Sequence, residues 1–212
     1  MLSRKKVNLV LDEMEKVFPD AWCELIFQNT FELLIAVMLS ARTTDKAVNK
    51  VTPSLFEKYP APQDFLTVPV EELMQDISTI GLYRNKAKHI QECCRQLLEL
   101  HQGKVPDTFE ELTQLAGVGR KTANVVLSVG FNKPAIAVDT HVERVSKCFK
   151  IVPEHATPLE VEHILMKKVP KERWGQTHHL LIFWGRYRCK RSSKLKHCQC
   201  CQDLMSMIKD KE

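Results

Sequence analysis

The sequence predicts an all-α protein. Three observations point there. Glycine is scarce, at 7 of 212 residues. β-Branched residues do not gather into long runs. Apolar residues recur at helical spacing in one segment after another. A chain of this length buries enough surface for one large domain or two small ones.

The elements follow in order. Val7–Phe18 places Leu9, Val10, Leu11, Met14 and Phe18 mostly on one side of a helix. Phe31–Ala41 is apolar nearly all round, which predicts a helix buried within a bundle. Lys46–Tyr59 follows the N-cap pair Thr44-Asp45, with Pro53 expected to bend or break it. Val70–Thr79 stops at Gly81, and Asn85–His101 stops at Gly103, a C′ glycine. Thr108 and Glu111 have capping-box spacing and open a short helix to Leu115. Helices are also expected over Arg120–Gly130, from Asp139/Thr140 to Lys150, and over Leu159–Lys168 and Trp174–Arg186. The one strand candidate is Ala135–Val138.

The formal charge of +5 is mild and does not by itself demand a nucleic-acid partner. The positive residues crowd Arg186–Lys196, a run that includes Lys190 and Arg191 and that, on charge alone, reads as a solvated tail. The longest apolar run, Leu33–Leu39, is too short to span a bilayer, and the amphipathic start lacks the pattern of a signal peptide. Of eight cysteines, Cys23, Cys93, Cys94 and Cys148 are scattered, whereas Cys189, Cys198, Cys200 and Cys201 crowd the C-terminus. That distribution argues against a secreted disulfide framework and for a reducing cytosol with a C-terminal metal or cluster site.

The most informative string is Leu115-Ala116-Gly117-Val118-Gly119-Arg120-Lys121-Thr122-Ala123. Two helical periods meet there in a turn with two glycines. Glycine removes side-chain bulk and relaxes φ. The backbone N–H groups at the start of the second helix then offer a phosphate unpaired donors and partial positive charge. Arg120 and Lys121 reinforce that grip, which holds the nucleic-acid backbone without reading its sequence.

LAGVGRKTANVV is similar to the helix–hairpin–helix motif of the endonuclease III family. Ala116 stands where that family usually has Pro. The resemblance runs through FELLIAVMLSARTTDKAVNKVTP, IGLYRNKAKHI, AIAVDTHVERV and HHLLIFWGRYRC, nearly the whole chain. It implies a helix–hairpin–helix glycosylase fold with two helical domains and a DNA-binding cleft between them. One domain is a six-helix barrel over residues 22–133. The other joins residues 1–21 to 134–212. The implied activity is base-excision repair of double-stranded DNA, by a glycosylase for damaged pyrimidines that also cleaves abasic strands. No nucleotide cofactor is expected, and the protein should be a cytoplasmic monomer. A monofunctional glycosylase of the same superfamily and a non-catalytic hairpin protein are the alternatives. Lys121 argues against the first, and Lys121 together with Asp139 against the second.

Lys121 matches the family's catalytic lysine and Asp139 its catalytic aspartate. The chemistry needs an amine that attacks C1′, displaces the base and forms a Schiff base, which makes elimination of the 3′ phosphate easy. Arg120, the helix N-terminus and partial desolvation are expected to disfavour the charged amine. Asp139 can assist deprotonation and stabilise positive charge at C1′. Taken alone, Lys121 would read as a solvated or phosphate-binding lysine, and Asp139 as an N-cap.

Base extrusion leaves a gap that the enzyme must fill. Leu82 matches the family's inserted apolar wedge, though beside a turn it also reads as a core leucine. Arg42 stands where the family usually has Gln. Gly117, Val118, Gly119, Arg120 and Thr122 are the expected hairpin contacts to DNA, with Lys190 and Arg191 adding phosphate contacts from the basic loop.

The family commonly holds a [4Fe-4S] cluster in C-x6-C-x2-C-x5-C. Here Cys189 matches the first ligand, the next gap lengthens to eight residues, Cys198 and Cys201 keep the C-x2-C, and Met207 stands where the last cysteine should be. Three readings stay open. Cys200 completes a cluster, zinc binds some of these cysteines with His197, or the loop holds no metal. The missing fourth ligand tilts narrowly towards the last. The adjacent His178 and His179 make a poor chelate and read as structural, with one ring inward.

Overall fold

A computed structural model describes residues 1–189 and 198–209. It is all-α, with no strand among the described residues. The helices are α1 (Arg4–Val17), α2 (Thr30–Ser40), α3 (Asp45–Lys58), α4 (Val70–Asp76), α5 (Tyr83–His101), α6 (Phe109–Gln114), α7 (Arg120–Val125), α8 (Thr140–Cys148), α9 (Pro158–Lys168), α10 (Trp174–Phe183) and α11 (Gln199–Lys209). Single π-helical turns extend α7 over Val126–Gly130 and α10 over Trp184–Arg188. The chain divides into two compact units, Glu24–Asn132 and Met1–Cys23 with Lys133–Glu212.

In the unit Glu24–Asn132, α2 is the central helix. Phe31 through Leu39 are all buried, and α3, α5, α7 and the π-helical turn after α7 pack against it. Burial of each large apolar side chain contributes about 1.5–3 kcal/mol. Asn29 caps the helix by accepting from the Glu32 N–H at 2.9 Å, and Glu32 reaches back to the Gln28 N–H at 2.7 Å. The start of α2 is thereby satisfied although Glu32 is buried. Pro53 does not break α3, which continues through it to Lys58. A helix interior tolerates the missing donor when burial of Val48, Thr52 and Leu55 holds the turns on either side. Gln102 takes a left-handed φ of 55° beyond α5, and the Gly103 N–H returns to the Leu97 carbonyl at 2.8 Å, a Schellman-type end.

The other unit packs α1 against α9, α10 and α11. Val7, Val10, Leu11 and Met14 enter a core with Val142, Val145, Leu165, Leu180, Leu181 and Ile208. Polar anchors fix α1 from outside. Arg173 pairs with Asp12 at 2.8 Å and Glu15 at 3.2 Å, and the Asn8 amide donates to the Lys168 carbonyl at 3.1 Å. Thr157 and Glu160 complete a capping box at the start of α9.

Ala135–Val138 is not a strand. Ala135, Ile136 and Ala137 are buried in irregular backbone, and His178 Nδ1–H donates to the Ala137 carbonyl at 2.6 Å. A side chain thus satisfies a backbone group that a strand would have paired. Both His178 and His179 are buried, where the sequence predicts one ring inward. The reason is that α10 is enclosed from Thr177 to Ile182. Trp184 is a core residue, and half-buried Trp174 donates its indole N–H to the Val169 carbonyl.

Candidate active site and thiol centre

The hairpin is built as its sequence implies. α6 ends at Gln114, Val118 N–H closes a turn onto the Leu115 carbonyl at 3.0 Å, and α7 begins at Arg120. Gly117 has φ +76°, and a Cβ there would lie 2.8 Å from His89 Cβ and 3.0 Å from Met38 Cε. Both conformation and packing require glycine at that position. Gly119 differs. Its φ of −91° and ψ of 176° suit any residue, and a Cβ would meet nothing within 4 Å. Among the described residues nothing accounts for glycine at 119. Val118 is buried and anchors the turn, and Thr122 is half-buried. The Arg120 guanidinium stacks over the Phe109 ring, 4.8 Å from its centroid, so α6 positions it.

Lys121 is exposed in the first turn of α7. The partial desolvation expected of its amine is therefore not supplied by the surrounding protein. The reason is geometric: the residue faces outward from a two-turn helix whose buried side is Ala123, Asn124 and Val125.

Two loops of the same unit carry strained residues. Arg42, after α2, has φ 58°, and Leu82, before α5, has φ 61°. Left-handed backbone is uncommon for side chains of this size and costs on the order of 1–3 kcal/mol. Leu82 is also 54% exposed, which removes the core-leucine reading. Arg42 is exposed as well. Lys86, a residue the sequence reading passed over, binds these loops to the bundle. Its ammonium donates to the carbonyls of Leu39 and Ala41 at 2.7 Å and to Thr43 Oγ1 at 3.2 Å. Burial pushes its pKa down to about 8. The signal available in the sequence was only a lysine on the buried stripe of an amphipathic helix.

Asp139, in the other unit, is the N-cap of α8. Its Oδ1 accepts from the backbone N–H groups of His141 and Val142, both at 2.8 Å. This holds one carboxylate oxygen at the positive end of the helix, where negative charge is stabilised. Burial lowers the pKa of His141, against an opposing pull from Asp139. Arg144, one turn further along α8, donates to the carbonyls of Gly185 at 2.7 Å and Cys189 at 2.7 Å.

The same helix ends in Cys148, and its thiol belongs to a group that sequence spacing did not show. The Sγ atoms of Cys148, Cys189, Cys198 and Cys201 all lie within 4.8 Å of one another. Cys189, Cys198 and Cys201 are buried and Cys148 is half-buried. The fourth member is Cys148 rather than Cys200. Adjacent residues on a helix diverge by about 100°, and of Cys200 and Cys201 at the start of α11 it is Cys201 that joins the mutually close set. Cys200 Sγ lies at the edge of the group, 3.1 Å from Cys198 Sγ. Four thiols this close are compatible with a bound metal group. Lys190, Arg191 and His197 lie outside the described residues. No helix among the described residues is long and apolar enough to cross a membrane.

Comparisons with known proteins show the family of the chain. The family model described as "HhH-GPD superfamily base excision DNA repair protein" matches residues 35–171. The endonuclease III of Bacillus subtilis (strain 168) is 58% identical over 193 residues, covering 91% of this chain and 88% of that protein. Among solved structures, a trapped endonuclease III–DNA covalent intermediate, in an estranged-adenine complex, is 59% identical. It covers 91% of each chain with a TM-score of 0.89. A non-covalent endonuclease III–DNA complex is 54% identical, covers 99% of this chain and 100% of its own, and has a TM-score of 0.90. The chain belongs to the endonuclease III family, within the HhH-GPD superfamily of base excision DNA repair proteins.

Proposed function

We propose that this chain removes damaged pyrimidines from double-stranded DNA and then cleaves the abasic strand, with Lys121 as nucleophile and Asp139 as the assisting carboxylate. DNA glycosylase and abasic-site lyase activity is the function of its family, and a family relative has been trapped as a covalent intermediate with DNA. The observation that carries the residue assignment is the hairpin. Exposed Lys121 stands two residues after a glycine that no contact among the described residues requires. An open Gly119 lets a phosphate approach the first N–H groups of α7, which would bring the sugar of one nucleotide to the amine.

In this reading the Lys121 Nζ lone pair attacks C1′. The bond from C1′ to the base breaks, and the base leaves with its electron pair and takes up a proton. Loss of the amine proton and opening of the sugar give the Schiff base. Removal of a C2′ proton then expels the 3′ phosphate by cleavage of the C3′–O bond, and water releases the enzyme. Asp139 accepts the amine proton and stabilises positive charge developing at C1′, as a carboxylate does in glycoside hydrolysis. DNA covering the exposed amine supplies the desolvation that the protein alone does not.

Leu82 is the wedge that fills the stack after extrusion. Its exposure and left-handed backbone support this, since an apolar tip held in a strained loop has no use in the folded core. Arg42, in the neighbouring strained loop, contacts the base left opposite. The hairpin residues Gly117, Val118, Gly119, Arg120 and Thr122, with Lys190 and Arg191, hold phosphates. A metal group on the four thiols would be a structural cross-link and takes no part in these steps. The chain acts as a monomer in the bacterial cytosol.

Borohydride trapping on abasic duplex DNA tests the assignment. The native chain should give a covalent adduct that Lys121→Ala abolishes. An adduct that persists in Lys121→Ala moves the nucleophile elsewhere, and no adduct with the native chain overturns the lyase reading.

A further inference from the structure

We propose that Cys148, Cys189, Cys198 and Cys201 bind a single tetrahedral zinc ion, with Cys148 of α8 supplying the ligand that a cysteine at the position of Met207 would otherwise supply. This goes beyond the repair reading and does not depend on it. Spacing is the first argument. Four thiolates around one zinc ion, each bonded at about 2.3 Å, stand about 3.8 Å apart. The four sulfurs here lie within 4.8 Å of one another, with Cys189 and Cys198 at 3.2 Å. A cubane gives each thiolate its own iron. Its ligand sulfurs are then separated by two metal–sulfur bonds and an iron–iron edge, roughly 6 Å. The group in this chain is tighter than that and lies nearer the zinc spacing.

Ligand chemistry is the second argument. Four ionised thiols at this separation repel one another strongly, and a cation between them removes the penalty. An all-cysteine tetrahedral set with no open position is the form of a structural zinc site. Position is the third. Cys148 is the last residue of α8, Cys189 ends the π-helical turn after α10, and Cys198 and Cys201 flank the start of α11. One ion would join three helices of this unit, and Arg144 already ties α8 to the Cys189 carbonyl. The ion would sit at the far end of α8 from its N-cap Asp139, about 13 Å along the axis. It would fix the helix without touching the reacting carboxylate.

The test uses the full chain, purified under reducing conditions from cells supplied with both iron and zinc. Elemental analysis should give one zinc per chain and less than a tenth as much iron. Zinc-edge X-ray absorption should show four sulfur neighbours. Cys148→Ser should reduce zinc retained after exposure to a chelator at least tenfold, whereas Cys200→Ser should leave it unchanged. Should Cys148→Ser fail to fold, alkylation of the native chain decides. Cys148, Cys189, Cys198 and Cys201 should be protected until zinc is removed, while labelling of Cys200 should not depend on zinc removal. Four irons with acid-labile sulfide, a single iron, disulfides among these residues, or zinc lost with Cys200 rather than Cys148 would each overturn the proposal.

Discussion

The side-chain nitrogen of Lys86 lies 2.7 Å from the carbonyl oxygen of Ala41, the residue that precedes Arg42. The same nitrogen holds the Leu39 carbonyl at 2.7 Å. One buried ammonium thus closes the C-terminal end of α2, where a cation is favoured by the helix dipole, and pins the loop that carries Arg42. Lys86→Met keeps the aliphatic volume and removes the donors. Stability should fall by about 2 kcal/mol, the cost of leaving buried carbonyls without partners, measured by urea unfolding. Amide exchange at residues 41–44 should quicken tenfold or more. Unchanged exchange would separate Lys86 from the loop.

The two hairpin glycines should part company on substitution. Gly117→Ala meets both a left-handed φ and the His89 side chain, and should cost about 2 kcal/mol or more. Gly119→Ala points its methyl into open space and should change stability by less than about 0.5 kcal/mol. It should nonetheless weaken binding to abasic duplex at least tenfold, because the methyl occupies the approach of the phosphate. Full binding by Gly119→Ala would remove the hairpin from the DNA interface.

Leu82 gives a test in which stability and activity move in opposite directions. Leu82→Gly relieves a left-handed backbone and exposes less apolar surface, so the folded chain should gain about 1 kcal/mol. Excision from duplex DNA should nevertheless drop at least tenfold, with a smaller loss on single-stranded substrate, where no stack needs filling. Equal losses on both substrates would rule out a wedge.

Asp139 is both an N-cap and a proposed reacting carboxylate, and two substitutions separate the roles. Asparagine caps as well as aspartate. Asp139→Asn should keep the helix and the melting temperature but lose at least a hundredfold in turnover. Asp139→Ala should lose the turnover and about 1 kcal/mol of stability besides. A fully active Asp139→Asn would reduce the residue to a cap.

Acid should weaken the fold through His179. Burial, with the neighbouring His178 and Arg186, pushes its pKa down to about 3 from 6.5. As pH falls through 6.5 the unfolded chain binds a proton on this ring and the folded chain does not, so stability is lost from pH 6.5 downwards. Between pH 7 and 5 the loss should be on the order of 1–2 kcal/mol, read from urea midpoints. His179→Gln should shrink that difference. An equal pH dependence in the variant would place the effect on other groups.

What the sequence determined by itself is local. Caps at Thr108 and Asp139, the glycine stop at Gly103 and the Gly117–Gly119 hairpin could be read because each acts through neighbours a few residues away. At Pro53 the break that the local rule allows does not occur, because packing carries α3 through it. Tertiary structure decided what lies far apart along the chain. Cys148 joins Cys189 at a separation of 41 positions, and Lys86 reaches Leu39 at a separation of 47. Leu82 became exposed and left-handed through the way its loop leaves α4 and enters α5. Neither a thiol's partner nor a lysine's acceptors leave a periodic trace, because both are fixed by where whole helices pack and not by spacing within any one of them.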